Sequence, residues 1–182
     1  MSWLLSLVVS GVLSHGAAAD PHSSPDVRPV SARSLEDMLT ASSRRIRSSE
    51  RRINKLLLDG VRRSKTFADL VSRVHDTDLI VYIEVSHQLP PETVGRILMQ
   101  GAAGGQRYVR VQVRALLQGD QIIAVLGHEL HHALEVAQDA SVVDEATFST
   151  LYRRIGHSSQ GPAFDTDGAR LTGIRVRDEL LG

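Results

Sequence analysis

The amino-acid sequence predicts an α+β fold in which a short mixed or antiparallel sheet lies between N-terminal and C-terminal helices. Three observations lead to this class. Residues 79–85 are an unbroken apolar run rich in β-branched side chains, and residues 107–114 alternate between apolar and polar side chains. Apolar residues recur at helical spacing before and after this region. A chain of 182 residues is long enough to form one domain around a single core.

The N-terminal part of the chain is predicted to lie outside that domain. Residues 1–19 have an apolar centre, no charged side chain and a run of alanines just before Asp20, which is the pattern of a secretory signal peptide. The apolar run is too short to span a membrane comfortably. Residues 20–33 contain several prolines among serine and aspartate, which predicts a flexible leader. We therefore expect one domain at residues 34–182, exported to the periplasm or the cell exterior of a bacterium, with no integral membrane segment after signal cleavage.

Helices before the sheet are predicted from composition and spacing. Residues 34–60 are helical in composition and rich in arginine. We interpret the arginines as a solvated helix surface, because no aromatic side chain is present there to stack on bases. The 21 basic and 21 acidic residues cancel, so nucleic acid is not an expected partner. Ser64 is a candidate N-cap for a short helix with a buried face made of Phe67, Leu70, Val71 and Val74.

Three strands are predicted in the middle of the chain. Residues 79–85 are expected to be buried on both faces, because the apolar run shows no alternation. Residues 95–100 and 107–114 flank a glycine-rich turn at 101–105, which predicts two strands around that turn. In the second of these strands valine alternates with polar residues, so we expect one face of the sheet to be in solvent.

Three helices are predicted after the sheet. The first begins at Asp120, a good N-cap residue, and ends near Asp139. The second ends at Gly156 and contains the apolar side chains of Phe148, Leu151, Tyr152 and Ile155. The third covers residues 169–180.

A potential metal-binding pattern lies inside the first of these helices, where His128, Glu129 and His132 satisfy H-E-x-x-H. Residues at i and i+4 share one helix face about 6 Å apart along the axis, so both imidazoles can reach one ion. Glu129 lies about 100° further round the helix, where a carboxylate can take a proton from metal-bound water. The chain has no cysteine, so a metal must be held by His, Asp, Glu and water.

The same division of residues is expected of an ordinary amphipathic helix with a solvated polar face. On that alternative the apolar stripe packs into the core and the opposite face is exposed to water. The residues of that opposite face are Gln121, His128, His131, His132, Glu135 and Asp139.

Residues 123–136, with the sequence IAVLGHELHHALEV, resemble the active-site helix of the zincin metallopeptidases. The alternating strand at 107–114 resembles the edge strand that lines the zincin substrate cleft. The resemblance implies one Zn²⁺ held by His128 and His132, with Glu129 as the general base and a peptide or protein as substrate. Metzincins carry glycine and histidine where this chain has Glu135 and Gln138. The resemblance is therefore gluzincin-like rather than metzincin-like, with the branch unresolved.

Three carboxylates are candidates for the third zinc ligand. Asp165 is preferred, because zincins bring this ligand from a separate helix. Its alternative role is N-capping of the last helix, which Asp165, Thr166 or Asp167 could each provide. Glu135 lies on the histidine face and suits a hydrogen bond to the far nitrogen of a ligand histidine. Glu145 is the third candidate. Tyr152 stands near the thermolysin-like ligand position, and with His157 it is a weaker candidate for steadying an oxyanion.

The sequence thus predicts an exported zinc peptidase that cleaves peptide bonds through a metal-activated water. The alternative is a catalytically inactive zincin-like domain that serves as a metal-binding or structural module of the cell envelope. The oligomeric state stays open on either interpretation.

Overall fold

A computed structural model of the protein describes residues 32–41, 44–158 and 164–182. The predicted signal peptide, and the leader up to residue 31, lie outside the described residues. No helix in the described part combines the length and the hydropathy needed to cross a membrane. The elements, in chain order, are α1 (Ala32–Thr40), β1 (Ile46–Arg47), α2 (Arg51–Arg63), α3 (Lys65–His75), β2 (Leu79–Ser86), β3 (Gly95–Ala103), β4 (Gln106–Arg114), α4 (Gly119–Gln138), α5 (Glu145–Ile155), β5 (His157–Ser158), β6 (Phe164–Asp165) and α6 (Asp167–Leu181).

The predicted α+β class is confirmed, with a four-stranded mixed sheet in the order β1-β2-β4-β3. Strands β1, β2 and β4 run parallel, while β3 pairs antiparallel with β4. A second sheet consists of β5 and β6 alone. The strand at 107–114, compared above with a cleft-lining edge strand, is β4 and is paired on both sides. The edge strand beside the histidine helix is instead β3.

The helices cover one face of the sheet and leave part of the other in solvent. Val109, Val111 and Val113 of β4 are fully buried in the core cluster that also holds the apolar face of α4. This confirms the predicted alternation. The prediction that residues 79–85 are buried on both faces is wrong for the second half of β2. Tyr82 is 42% exposed, and Arg110, its partner in register, lies on the same open face.

Residues 34–60, predicted to be helical from composition, form most of α1, the short strand β1 and the first part of α2. Helix α1 begins two residues inside the predicted leader and ends at Thr40, and the chain then forms β1 before α2. The reason is Ile46, a β-branched residue that is buried when β1 pairs with β2. The N-cap prediction for Ser64 is confirmed, since its hydroxyl accepts a hydrogen bond from the Phe67 amide at 3.0 Å.

Helix α4 is anchored at both ends. At its start the N-cap is Gln118 rather than Asp120. Asp120 lies in the first turn, where the helix dipole favours an acid, and Arg63 binds both of its carboxylate oxygens, at 2.7 and 2.9 Å. At the other end Arg107, only 4% exposed, donates hydrogen bonds to the carbonyl oxygens of Val136, Ala137, Asp139 and Val142. Asp78 holds the same guanidinium through both carboxylate oxygens.

Candidate metal centre

The two histidines of the H-E-x-x-H pattern face each other on α4. The Nε2 atoms of His128 and His132 are 3.1 Å apart. The two rings meet edge to face, with centroids separated by 4.7 Å and planes inclined by 77°. One turn of helix therefore brings the two imidazole nitrogens to a common point, as the i, i+4 spacing predicts.

Asp165, which lies in a different part of the fold, supplies a third potential metal-ligand atom. His128 Nε2, His132 Nε2 and Asp165 Oδ1 are called the donor group below. It is the last residue of β6, immediately before the N-cap of α6. Its Oδ1 lies 3.4 Å from His128 Nε2 and 3.6 Å from His132 Nε2. The Thr166 amide donates a hydrogen bond to the same oxygen at 2.7 Å. His128, His132 and Asp165 form a group that could bind a metal ion.

The dimensions of this group suit a small tetrahedral cation. Two ligand atoms on a tetrahedral zinc ion, at 2.0–2.1 Å from the metal, are about 3.3 Å apart. The three donor–donor distances are 3.1, 3.4 and 3.6 Å. The side chains of His128 and Asp165 are 25% and 30% exposed, whereas that of His132 is 4% exposed. The side of the donor group formed by His128 and Asp165 therefore faces solvent, where a water or a substrate oxygen can approach.

The surroundings of the two histidines shift their pKa values in opposite directions. Burial and the nearby His132 lower the pKa of His128 to about 4. Burial also opposes the charged form of His132, but the nearby carboxylates of Asp165 and Glu135 outweigh it and raise the pKa of His132 to about 9. A metal ion at this group would compete with a proton for the facing imidazole nitrogens, because an imidazole binds a cation through an unprotonated nitrogen.

Glu129 is the most buried carboxylate near the donor group. It is 4% exposed, and burial raises its pKa to about 7, although the adjacent His132 opposes the shift. The carboxylate lies against Gly95 at the start of β3, where an added Cβ would be 2.6 Å from Glu129 Oε1. A carboxyl group with a pKa near neutrality, next to His128 in the chain, is suited to receiving and releasing protons.

Glu135 binds His132 at Nδ1, the ring nitrogen that faces away from His128 and Asp165. Its Oε2 lies 2.7 Å from His132 Nδ1 and 3.2 Å from the Tyr152 hydroxyl, which donates to it. Its Oε1 accepts a hydrogen bond from the Thr166 hydroxyl at 2.6 Å. A carboxylate on the non-ligating nitrogen of a histidine fixes the ring orientation and the tautomer. Glu135 is thus outside the donor group and lies where it can fix the orientation and the tautomer of His132.

The histidine face of α4 is largely covered, because α6 packs closely across it. An added Cβ on Gly173 would lie 3.2 Å from His128 Cβ, and one on Gly168 would lie 2.7 Å from His131 Nε2. Thr172 forms a hydrogen bond with His131 Nδ1 at 2.9 Å. The alternative of an ordinary solvated helix face is therefore wrong for this part of α4.

The other predicted candidates lie elsewhere. Glu145 is exposed in the first turn of α5 and is not part of the donor group. Tyr152 is buried, and its one hydroxyl hydrogen is shared between Glu135 Oε2 and the His132 carbonyl oxygen, each 3.2 Å away, which is a supporting role rather than an oxyanion contact. Burial raises the pKa of Tyr152 far above its usual value. His157 lies in β5, and its side chain is outside the described residues.

Three contributors to the site were missed by sequence reasoning. The sequence indicates Thr166 only as a possible N-cap, although an Asp-Thr pair at a helix start offers a carboxylate as ligand and a hydroxyl that can form a second hydrogen bond. Gly95 was considered only as the start of a strand. Arg107 was placed on a strand without a role, and no local pattern shows that it binds the end of α4.

Comparisons with known proteins add little to this geometry. No protein-family model matches the chain, and no solved structure matches it. The methionine import ATP-binding protein MetN of Bradyrhizobium diazoefficiens is 43% identical to the chain over 61 residues, which is 34% of this chain. The matched stretch covers 17% of MetN, so the chain spans about a sixth of that protein's length. Neither Lys55 nor Lys65 follows glycine, so the chain has no G-x-x-x-x-G-K-[ST] phosphate-binding pattern.

Proposed function

We propose that this protein is a zinc-dependent peptidase in which Glu129 acts as general base. The observation that supports this most strongly is a three-donor group beside a buried carboxylate whose pKa lies near neutrality. Structural zinc sites use four protein ligands, whereas catalytic sites use three and keep one position for water or substrate. Within the described residues the group has three members, His128, His132 and Asp165. This number favours a catalytic site over a structural one.

In this proposal the metal activates the water and the peptide carbonyl, whereas side chains of the protein transfer the proton and hold the ligands in place. A zinc ion held by the three donors would lower the pKa of a bound water to about 7 and polarise a peptide carbonyl. Glu129 accepts the proton of the attacking water and delivers it to the amine nitrogen of the departing fragment. His132 is kept in one orientation by Glu135, whose hydrogen bond lies on the ring nitrogen that faces away from the donor group.

The proposal is tested by separating metal binding from proton transfer. Wild-type protein, Glu129→Gln and Glu145→Gln are purified, their zinc content is measured, and each is incubated with a mixed peptide library. We expect about one zinc per chain in all three. Glu129→Gln should lose at least about a hundredfold in turnover, which is the usual contribution of a general base. Glu145→Gln is the matched control and should cleave peptides as the wild type does, because Glu145 is exposed and outside the donor group.

Two results would contradict the peptidase proposal in different ways. If the wild type binds zinc but cleaves no peptide, the alternative of a zincin-like metal-binding or structural module takes its place. If the wild type binds no zinc, both interpretations fail together.

A further inference from the structure

We propose that Thr166 is a positioning residue of the metal centre, and that its hydroxyl joins the start of α6 to Glu135 so that Asp165 reaches the two histidines. This inference rests on the metal site of the proposed function. It adds a residue that the H-E-x-x-H pattern does not include.

The Thr166 hydroxyl is bonded on two sides. It accepts a hydrogen bond from the Ala169 amide at 3.1 Å, which caps α6, and it donates to Glu135 Oε1 at 2.6 Å. A threonine hydroxyl has one hydrogen to donate and two lone pairs to accept with, so both bonds form together. Thr166 is 6% exposed, and water therefore does not readily replace either partner.

Thr166 directly follows Asp165 in the chain, so its two hydrogen bonds also affect where Asp165 lies. Asp165 is its immediate neighbour, and the Thr166 amide donates to the Oδ1 atom that faces both histidine nitrogens. Fixing Thr166 against Glu135 therefore fixes the backbone that carries the third donor. The histidines belong to α4, whereas Asp165 arrives from β6 and α6, so the group assembles only when α6 is docked in register.

Glu135 connects Thr166 at the start of α6 to His132 on α4. One oxygen accepts from Thr166 and the other lies beside His132 Nδ1, so a single carboxylate sets the orientation of one histidine and the placement of the aspartate. Tyr152 of α5 donates to the oxygen on the histidine side. A plain helix cap has no need for the bond to Glu135. That bond distinguishes a positioning role from a purely structural one.

Cobalt binding tests the proposal, because Co²⁺ occupies zinc sites and its visible absorption reports ligand number and geometry. Titrations compare the wild type with Thr166→Val, which keeps the shape without the hydroxyl, and with Thr166→Ser, which restores the hydroxyl. Asp144→Ala is the matched control for losing a cap, since Asp144 caps α5 by accepting from the Thr147 amide at 2.8 Å.

We expect Thr166→Val to bind Co²⁺ about ten- to a hundredfold more weakly, as is usual when a residue that holds a metal ligand in place is replaced, and to show an altered visible spectrum. Thr166→Ser and Asp144→Ala should keep the wild-type affinity and spectrum. If Thr166→Val is unfolded without metal, the Co²⁺ concentration that folds it gives the same comparison. Wild-type binding by Thr166→Val would overturn this proposal alone, whereas failure of the wild type to bind Co²⁺ would overturn the metal site as well.

Discussion

Glu129 of α4 lies directly against Gly95, the first residue of edge strand β3. An added Cβ on Gly95 would be 2.6 Å from Glu129 Oε1 and 2.5 Å from Val125 Cγ1. Cβ atoms do not normally approach other heavy atoms this closely, so the absence of a side chain allows the strand and the carboxylate to share this space. The position of the proposed general base is therefore set by a strand as well as by its own helix.

Gly95→Ala is accordingly expected to displace the Glu129 carboxylate while leaving the metal ligands in place. We expect kcat for peptide cleavage to fall about ten- to a hundredfold, because a shift of about 1 Å in a catalytic group costs that much. Zinc affinity should stay within about threefold of the wild type. Gly119→Ala is the control, since its added Cβ would meet only Leu56 Cδ2, at 3.4 Å. Unchanged kcat in Gly95→Ala would show that Glu129 tolerates the crowding or is not the base.

Arg107 anchors the end of the helix that carries the site, and its removal is expected to destabilise the whole domain. Arg107→Met would leave the carbonyl oxygens of Val136, Ala137, Asp139 and Val142, together with the Asp78 carboxylate, without their shared donor. We expect the free energy of unfolding to fall by about 1–3 kcal/mol, the usual cost of leaving a buried hydrogen-bonding group without its partner. Chemical denaturation measures this change.

Arg110→Met provides the comparison on the same strand. Arg110 is 44% exposed and pairs with Glu84 at 3.7 Å, so its replacement should change the stability by no more than about 0.5 kcal/mol. Equal losses in the two variants would contradict the anchoring role of Arg107.

The ion pair of Asp78 with Arg107 is expected to lose its contribution in acid. Hydrogen bonds from Arg107 hold the pKa of Asp78 below its usual value. A lowered folded-state pKa adds stability above the unfolded pKa of about 4, and this stability is lost as the pH falls through the folded-state pKa. Asp78→Asn should therefore be less stable than the wild type at pH 7, and the difference should shrink below about pH 4. A difference that is constant between pH 7 and pH 3 would contradict this, and Asp76→Asn serves as the exposed control.

The predictable parts of the molecule are those with a strong local signal. The valine alternation of β4, the Ser64 cap and the i, i+4 histidine pair each depend on neighbouring residues, and the structure bears out their geometry. The preference for Asp165 over Glu145 came from the resemblance rather than from any local pattern. The structure places Asp165 at the histidines and Glu145 in solvent.

The parts that escaped prediction depend on contacts between distant segments. The two-residue strand β1 forms because β2 offers an edge to pair with, and Ile46, a single β-branched residue among polar neighbours, does not by itself predict a strand. Gln118 caps α4 in place of Asp120, whose carboxylate instead binds Arg63, a residue far away in the chain. Thr166 looked like an ordinary cap because its second bond, to Glu135, spans 31 residues.

The central claim is that His128, His132 and Asp165 together hold a metal ion, and zinc titration of Asp165→Ala against Glu145→Ala tests it most directly. The account predicts one tight zinc site in the wild type and in Glu145→Ala, and an affinity at least about a hundredfold weaker in Asp165→Ala, because a ligand has been removed. Tight zinc binding by Asp165→Ala, or none by the wild type, would contradict it.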